Sequence, residues 1–163
     1  MEKSITFKEL SQRWLSVSSL GKTYTYQQNL QSYINHLNNG IGECKVTDVK
    51  PAHIDEIIRR LYIENPNTKK PTSKKVLKNI VDCATRIFDY AIENELIYKN
   101  PARNKKKVIP KNAPTKIVGA ITPEQQQLVI DTEHRAKIAA VIMMFMGLRT
   151  GEVLSLIHIS EPT

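Results

Sequence analysis

Arg149 stands in the run Gly147-Leu148-Arg149-Thr150-Gly151-Glu152-Val153-Leu154-Ser155-Leu156. Before it, Lys137 is followed by nine uncharged, almost wholly apolar residues ending at Met146. A helix apolar on all sides is normally buried inside a domain. Gly147 can take the left-handed conformation that ends such a helix. Glu152, Val153, Leu154 and Leu156 then read as the start of the next one. The pattern predicts an arginine held at a tight helix-to-helix turn against an apolar wall. A guanidinium beside the free N–H groups of a helix start suits a phosphate or another oxyanion. The plainer reading is a surface arginine or a cap, with Glu152 supporting the arginine or the helix start.

Lysines supply a second source of anion chemistry. Residues 65–81 hold Lys69, Lys70, Lys74, Lys75 and Lys78, and residues 102–120 hold Arg103, Lys105, Lys106, Lys107, Lys111 and Lys116. Neither stretch contains an acid. Together they carry 11 of the 24 basic residues, which leaves 13 basic against 16 acidic elsewhere, so these blocks account for the net charge of +8. Solvated lysine surfaces are common, yet two acid-free blocks point to a polyanion partner.

Other chemistry finds little support. Cys44, Cys83, His36, His53, His134 and His158 show no metal-ligand spacing, so all are read as structural, with no metal and no cofactor expected. The six tyrosines, at 24, 26, 33, 62, 90 and 98, sit on or beside helical stripes and are read as core or surface. The chain has 163 residues, 40% of them hydrophobic and 25% charged, enough for one ordinary folded domain or a small one plus a piece of another. The N-terminus has no apolar leader core, and the longest apolar run, 138–148, is short of a membrane span. With only two scattered cysteines, a reduced, cytoplasmic, non-membrane setting is expected.

Helices must position these groups. Thr6 and Glu9 form a capping box before a stripe of Phe7, Leu10, Trp14 and Leu15. A second helix is expected over 23–38, with Tyr26, Leu30, Tyr33, Ile34 and Leu37 inward and Asn39-Gly40 as its stop. Pro51 opens a third, whose stripe is Ile54, Ile57, Ile58 and Leu61. A fourth is expected over 72–95, with Leu77, Ile80, Val81, Ala84, Ile87, Phe88, Ala91 and Ile92 at helical spacing. Pro101 forces Asn100 out of helical geometry and closes this bundle. Residues 102–120 read as an extended linker. Thr122, Pro123 and Gln125 then cap a helix at 123–133, followed by another at 135–146. The fold class is all-α: a four-helix N-terminal bundle, a basic linker and a helical segment leading to Arg149.

The run around Arg149 resembles the first arginine box of the tyrosine recombinases, the phage-integrase family. Tyr26 with Leu30, and Ile87-Phe88-Asp89-Tyr90-Ala91 running on to Glu95-Leu96-Ile97-Tyr98-Lys99-Asn100-Pro101-Ala102, resemble that family's SAM-like core-binding domain. The resemblance implies a DNA-binding core-binding domain over 1–101, a basic linker over 102–120, and a truncated N-terminal part of the catalytic domain over 121–163. It implies that Arg149 is catalytic and grips the scissile phosphate of double-stranded DNA, while a tyrosine hydroxyl attacks without a metal. DNA contacts are then expected from Lys22, Thr23, Lys69, Lys70, Lys74, Lys75, Lys78, Asn79, Lys105, Lys106 and Lys107. The parent is implied to serve DNA integration and site-specific recombination and to assemble on DNA as a tetrameric synapse.

The family's nucleophile and its other charge-stabilising groups lie beyond the arginine box. Only fourteen residues follow Arg149 here, and none is Tyr, Lys or Arg, so the chain is expected not to cleave DNA. Two departures stand out. The family often has a hydroxyl residue near the position of Val76, and His158 and Ser160 replace an aromatic and an acid. Residues 157–163 are therefore expected to be a non-native tail. The competing readings are a stand-alone helical DNA-binding or regulatory module without catalytic activity, and a protein-interaction module with solubilising lysines.

Overall fold

The first helix starts where its capping box requires. The Glu9 N–H donates to the Thr6 hydroxyl at 3.3 Å, and the Thr6 N–H donates back to the Glu9 carboxylate at 2.9 Å. The computed structural model describes residues 5–66, 68–115 and 119–159. These residues form α1 (Phe7–Ser18), α2 (Tyr24–Ile41), α3 (Pro51–Ile63), α4 (Lys74–Glu93), α5 (Pro123–Asp131), α6 (Lys137–Met146) and α7 (Thr150–Ile159). The class is all-α, with an isolated bridge between Thr6 and Lys45 as the only strand-like pairing among the described residues. The chain divides into two compact units, Met1–Lys116 and Ile117–Thr163.

The first unit is built on α4. Its stripe of Leu77, Ile80, Val81, Ala84, Ile87, Phe88 and Ala91 is at most 1% exposed. It shares one core with Phe7 and Leu10 of α1, Ile34 and Leu37 of α2, and Ile58 and Leu61 of α3. Each large apolar side chain buried in this way contributes about 1.5–3 kcal/mol. Phe7 and Phe88 meet in a tilted pair with centroids 5.3 Å apart. Helix α4 starts at Lys74 rather than 72, and Ser73 caps it through a 3.5 Å bond from the Val76 N–H. Thr72, just before it, is buried, and its hydroxyl accepts from Asn65 Nδ2 at 3.1 Å.

Two sequence expectations change here. Asn39-Gly40 does not stop α2, which runs on to Ile41 before the Gly42 N–H closes on the Asn38 carbonyl at 2.9 Å. Gly40 serves a close approach instead. A Cβ there would lie 2.6 Å from Ile57 Cγ1 and 2.8 Å from Ile57 Cδ1, so its absence lets α2 and α3 cross tightly.

Residues 102–115 are not an extended linker either. Asn104, in the left-handed region at φ 64°, leads into a 3-10 turn over Lys105–Val108. Ala102, Ile109 and Ala113 are buried in the bundle core. The Lys74 N–H donates to the Pro114 carbonyl at 2.8 Å, and the Tyr62 hydroxyl to Asn112 Oδ1 at 3.3 Å. Asn100 pins the start of this strap, donating to the Thr85 carbonyl at 2.9 Å and to Asp89 Oδ1 at 2.7 Å. The compact unit therefore reaches Lys116 rather than closing at Pro101.

In the second unit, Thr122 and Gln125 form the expected capping box, with Pro123 at the first position of α5. Gly147, at φ 67°, ends α6. The expected burial of α6 is not found. None of its residues is buried, and Ile138, Phe145 and Met146 are 74%, 63% and 67% exposed. Within the unit α5 and α7 pack against it, too little surface to enclose a helix that is apolar all round. The backbone of α7 continues to Ile159, and the rest of the 157–163 tail lies outside the described residues.

Gly40→Ala should gain about 1 kcal/mol of helix propensity and lose about 1–3 kcal/mol to overpacking against Ile57. Urea unfolding should show a net loss, abolished in an Ile57→Ala background where both clashing carbons are gone. Additive effects in that double-mutant cycle would mean the helices simply move apart.

Candidate functional site

In the first unit the lysines sort by whether a carboxylate reaches them. Lys105 Nζ is 2.7 Å from Asp55 Oδ2, with its side chain 16% exposed, and Lys106 Nζ is 2.5 Å from Asp82 Oδ1. Lys69 stands 3.8 Å from Glu64, and Lys74 Nζ donates to the Lys111 carbonyl at 3.1 Å. Lys22, Lys70, Lys75, Lys78 and Lys107 are exposed and reach no carboxylate among the described residues. The Thr23 hydroxyl caps α2, accepting from the Tyr26 N–H at 3.4 Å.

A polar groove runs between α2 and α4. Tyr26, Asn29 and Tyr33 line it with Asn79, Asp82 and Arg86, over about 260 Å³, with buried Leu30 and Cys83 beneath. Asn79 Nδ2 donates to the Tyr33 hydroxyl at 3.0 Å, and Arg86 Nη1 donates to the Tyr26 hydroxyl at 3.1 Å. The Arg86 guanidinium also lies over the Trp14 ring, 5.2 Å from its centroid, which orders it by a cation–π contact. Burial pushes the Cys83 thiol up to about 12, so it is protonated and unreactive at neutral pH.

Sequence reasoning singled out only Asn79 in this groove. It placed Tyr26 and Tyr33 on an apolar face and overlooked Asn29 and Arg86. A signal was available: Lys75, Asn79, Asp82 and Arg86 recur at four, three and four residues, on the side of α4 away from its apolar stripe.

The Arg149 turn belongs to the second unit. The Gly147 N–H closes on the Met143 carbonyl at 3.0 Å, and the Arg149 carbonyl accepts from the N–H groups of Glu152 and Val153. Glu152 supports both ends of the arginine: Oε2 accepts from its backbone N–H at 2.7 Å, and Oε1 lies 3.4 Å from Nη1. The backbone is thus fixed while the side chain stays 89% exposed. Buried Val153 anchors the start of α7. An exposed guanidinium on a fixed backbone, next to the positive end of a helix, can receive an oxyanion.

Residues 7–108 match the phage integrase central domain. The chain belongs to this family. The match covers α1 to α4 and ends inside the strap, at the turn that carries Lys105, Lys106 and Lys107. A curated relative, the tyrosine recombinase XerC-like protein of Caldanaerobacter subterraneus subsp. tengcongensis, is 26% identical over 94% of this chain and 40% of its own length. A solved structure of the Tn1549 transposon integrase, in complex with circular intermediate DNA, superposes with a TM-score of 0.70 at 21% identity. That likeness covers 90% of this chain and 47% of the other, and it concerns the fold. The chain spans less than half the length of either protein. Among the described residues, no group of three or more His, Cys, Asp or Glu could hold a metal ion. No single described helix is long and apolar enough to cross a membrane.

Arg149→Ala should leave thermal stability within about ±0.5 kcal/mol, as for other exposed side chains. Glu152→Ala should cost about 0.5–2 kcal/mol, because the carboxylate bonded to the Arg149 N–H at the start of α7 is lost. A loss of several kcal/mol on Arg149→Ala in a melting experiment would make the arginine a structural partner instead.

Proposed function

We propose that this chain is the DNA-binding N-terminal part of a site-specific tyrosine recombinase of the integrase type, serving DNA integration and recombination in the cytoplasm. The bundle with its strap is the core-binding domain, and the segment from residue 121 begins the catalytic domain. Family membership supports the class. The observation that carries the DNA contact is the row of Asn79, Asp82 and Arg86 lining the α2–α4 groove, with exposed Lys75 and Lys78 on the same helix. Lysines of this kind neutralise backbone phosphates, while amides, phenols and a guanidinium in a groove are groups that read base edges. The DNA-bound state of the Tn1549 integrase supports the same partner.

Lys22, Lys70, Lys75, Lys78 and Lys107 make the ready phosphate contacts in this reading. Lys105 and Lys106 contribute only by leaving Asp55 and Asp82. Arg149 acts as a forked clamp on the scissile phosphate, exchanging its long Glu152 contact for phosphate oxygens. In this reading it is one charge-stabilising group of a set, and DNA binding is the activity proposed for the chain. Assembly on DNA as a tetrameric synapse belongs to the same proposal for the parent protein.

Duplex binding should weaken steeply with salt, each neutralised phosphate adding about −0.9 to the log–log slope. Substituting Lys75, Lys78 and Lys107 together by Ala should flatten that slope by about 2–3. The Lys105→Ala, Lys106→Ala double variant should flatten it less, since carboxylates already neutralise both. If the triple variant keeps the parental slope, these lysines do not touch phosphate.

A further inference from the structure

Arg59, Arg60 and Lys69 line an open pocket of about 390 Å³ at the C-terminal end of α3, with Glu64 as the acid in its lining. Two of the cations have partners. Arg59 forks onto Glu56 at 2.7 and 2.8 Å, and Lys69 stands 3.8 Å from Glu64. Arg60 differs. It is half-buried, no acceptor among the described residues takes a hydrogen bond from its guanidinium, and its Nε is buried without a partner. That nitrogen has lost water and gained no hydrogen bond in return.

The surroundings do not supply the missing charge. Glu56, whose field Arg60 also feels, is already engaged by Arg59. His36 is buried, and burial, with Arg60 second, holds its imidazole below the ordinary 6.5, so it is neutral at neutral pH. On the α2 side, a Cβ at Gly40 would lie 3.5 Å from Arg60 Nη2, so the guanidinium abuts a helix backbone. The C-terminus of α3 favours a cation nearby, yet no carbonyl there accepts from Arg60.

We propose that this pocket is an oxyanion site, with Arg60 as its central contact and Arg59 and Lys69 completing the wall, and that its ligand is a phosphate group. The phosphate could come from a DNA backbone, which rests on the function proposed above, or from a free phosphate or phosphorylated small molecule, which does not.

The test uses the full chain, inorganic phosphate, and a short duplex. Phosphate in the pocket should offset Arg60 and raise the His36 titration midpoint, followed by the ring resonances in NMR. Arg60→Gln should abolish that response. With duplex, Arg60→Gln should flatten the salt slope by about 0.9, one phosphate contact. Both results together assign the site to a backbone phosphate. A phosphate response with an unchanged duplex slope assigns it to a free anion. A phosphate response in a chain that binds no duplex keeps the site and refutes the proposed function. If Arg60→Gln does not fold, Arg60→Lys, which keeps the charge and loses the fork, should weaken the phosphate response several-fold. No phosphate response in the parent, with a slope indifferent to Arg60, overturns the proposal.

Discussion

One demand arranges the first unit: the apolar stripe of α4 must leave water along its whole length. Helices α1, α2 and α3 supply most of the cover, and the strap's Ala102, Ile109 and Ala113 join the same core. Once that stripe is enclosed, the remaining side of α4 has to face solvent, carrying Lys75, Asn79, Asp82 and Arg86. The neighbouring face of α2 brings Tyr26, Asn29 and Tyr33 alongside. The polar groove follows from how the core is closed.

The strap shows why charge counted along a sequence differs from charge felt in space. Residues 102–120 contain no acid, yet Lys105 finds Asp55 on α3 and Lys106 finds Asp82 on α4. These pairs are partly exposed, so each is worth modestly little as stability. Their larger effect is on availability. A polyanion approaching the strap must compete with carboxylates already in place, whereas Lys107 has none to leave.

What could be read from the sequence was local. The capping boxes at Thr6 and Thr122, the proline at the head of α3 and the left-handed Gly147 each depend on a few adjacent residues, and each is found as expected. The Arg149 turn was legible for the same reason. Gly40 was misread because its purpose lies seventeen positions on, at Ile57. The strap was misread because three isolated apolar residues among cations carry no periodicity. Arg86 stood in a regular polar row on α4, but its partners, Trp14 and Tyr26, lie on other helices and could not be read from that row. Contacts far apart in the chain leave no trace in spacing.

The uncovered α6 gives the chain a second response to its medium, opposite in sign to the first. Added electrolyte screens exposed lysines and weakens any pairing they make with a polyanion. Strongly hydrated salts such as sulfate instead drive apolar groups together, and Ile138, Phe145 and Met146 offer them a ready surface. A sulfate-rich buffer therefore favours contact between copies through this face. The choice of anion, more than ionic strength, will govern its colloidal behaviour.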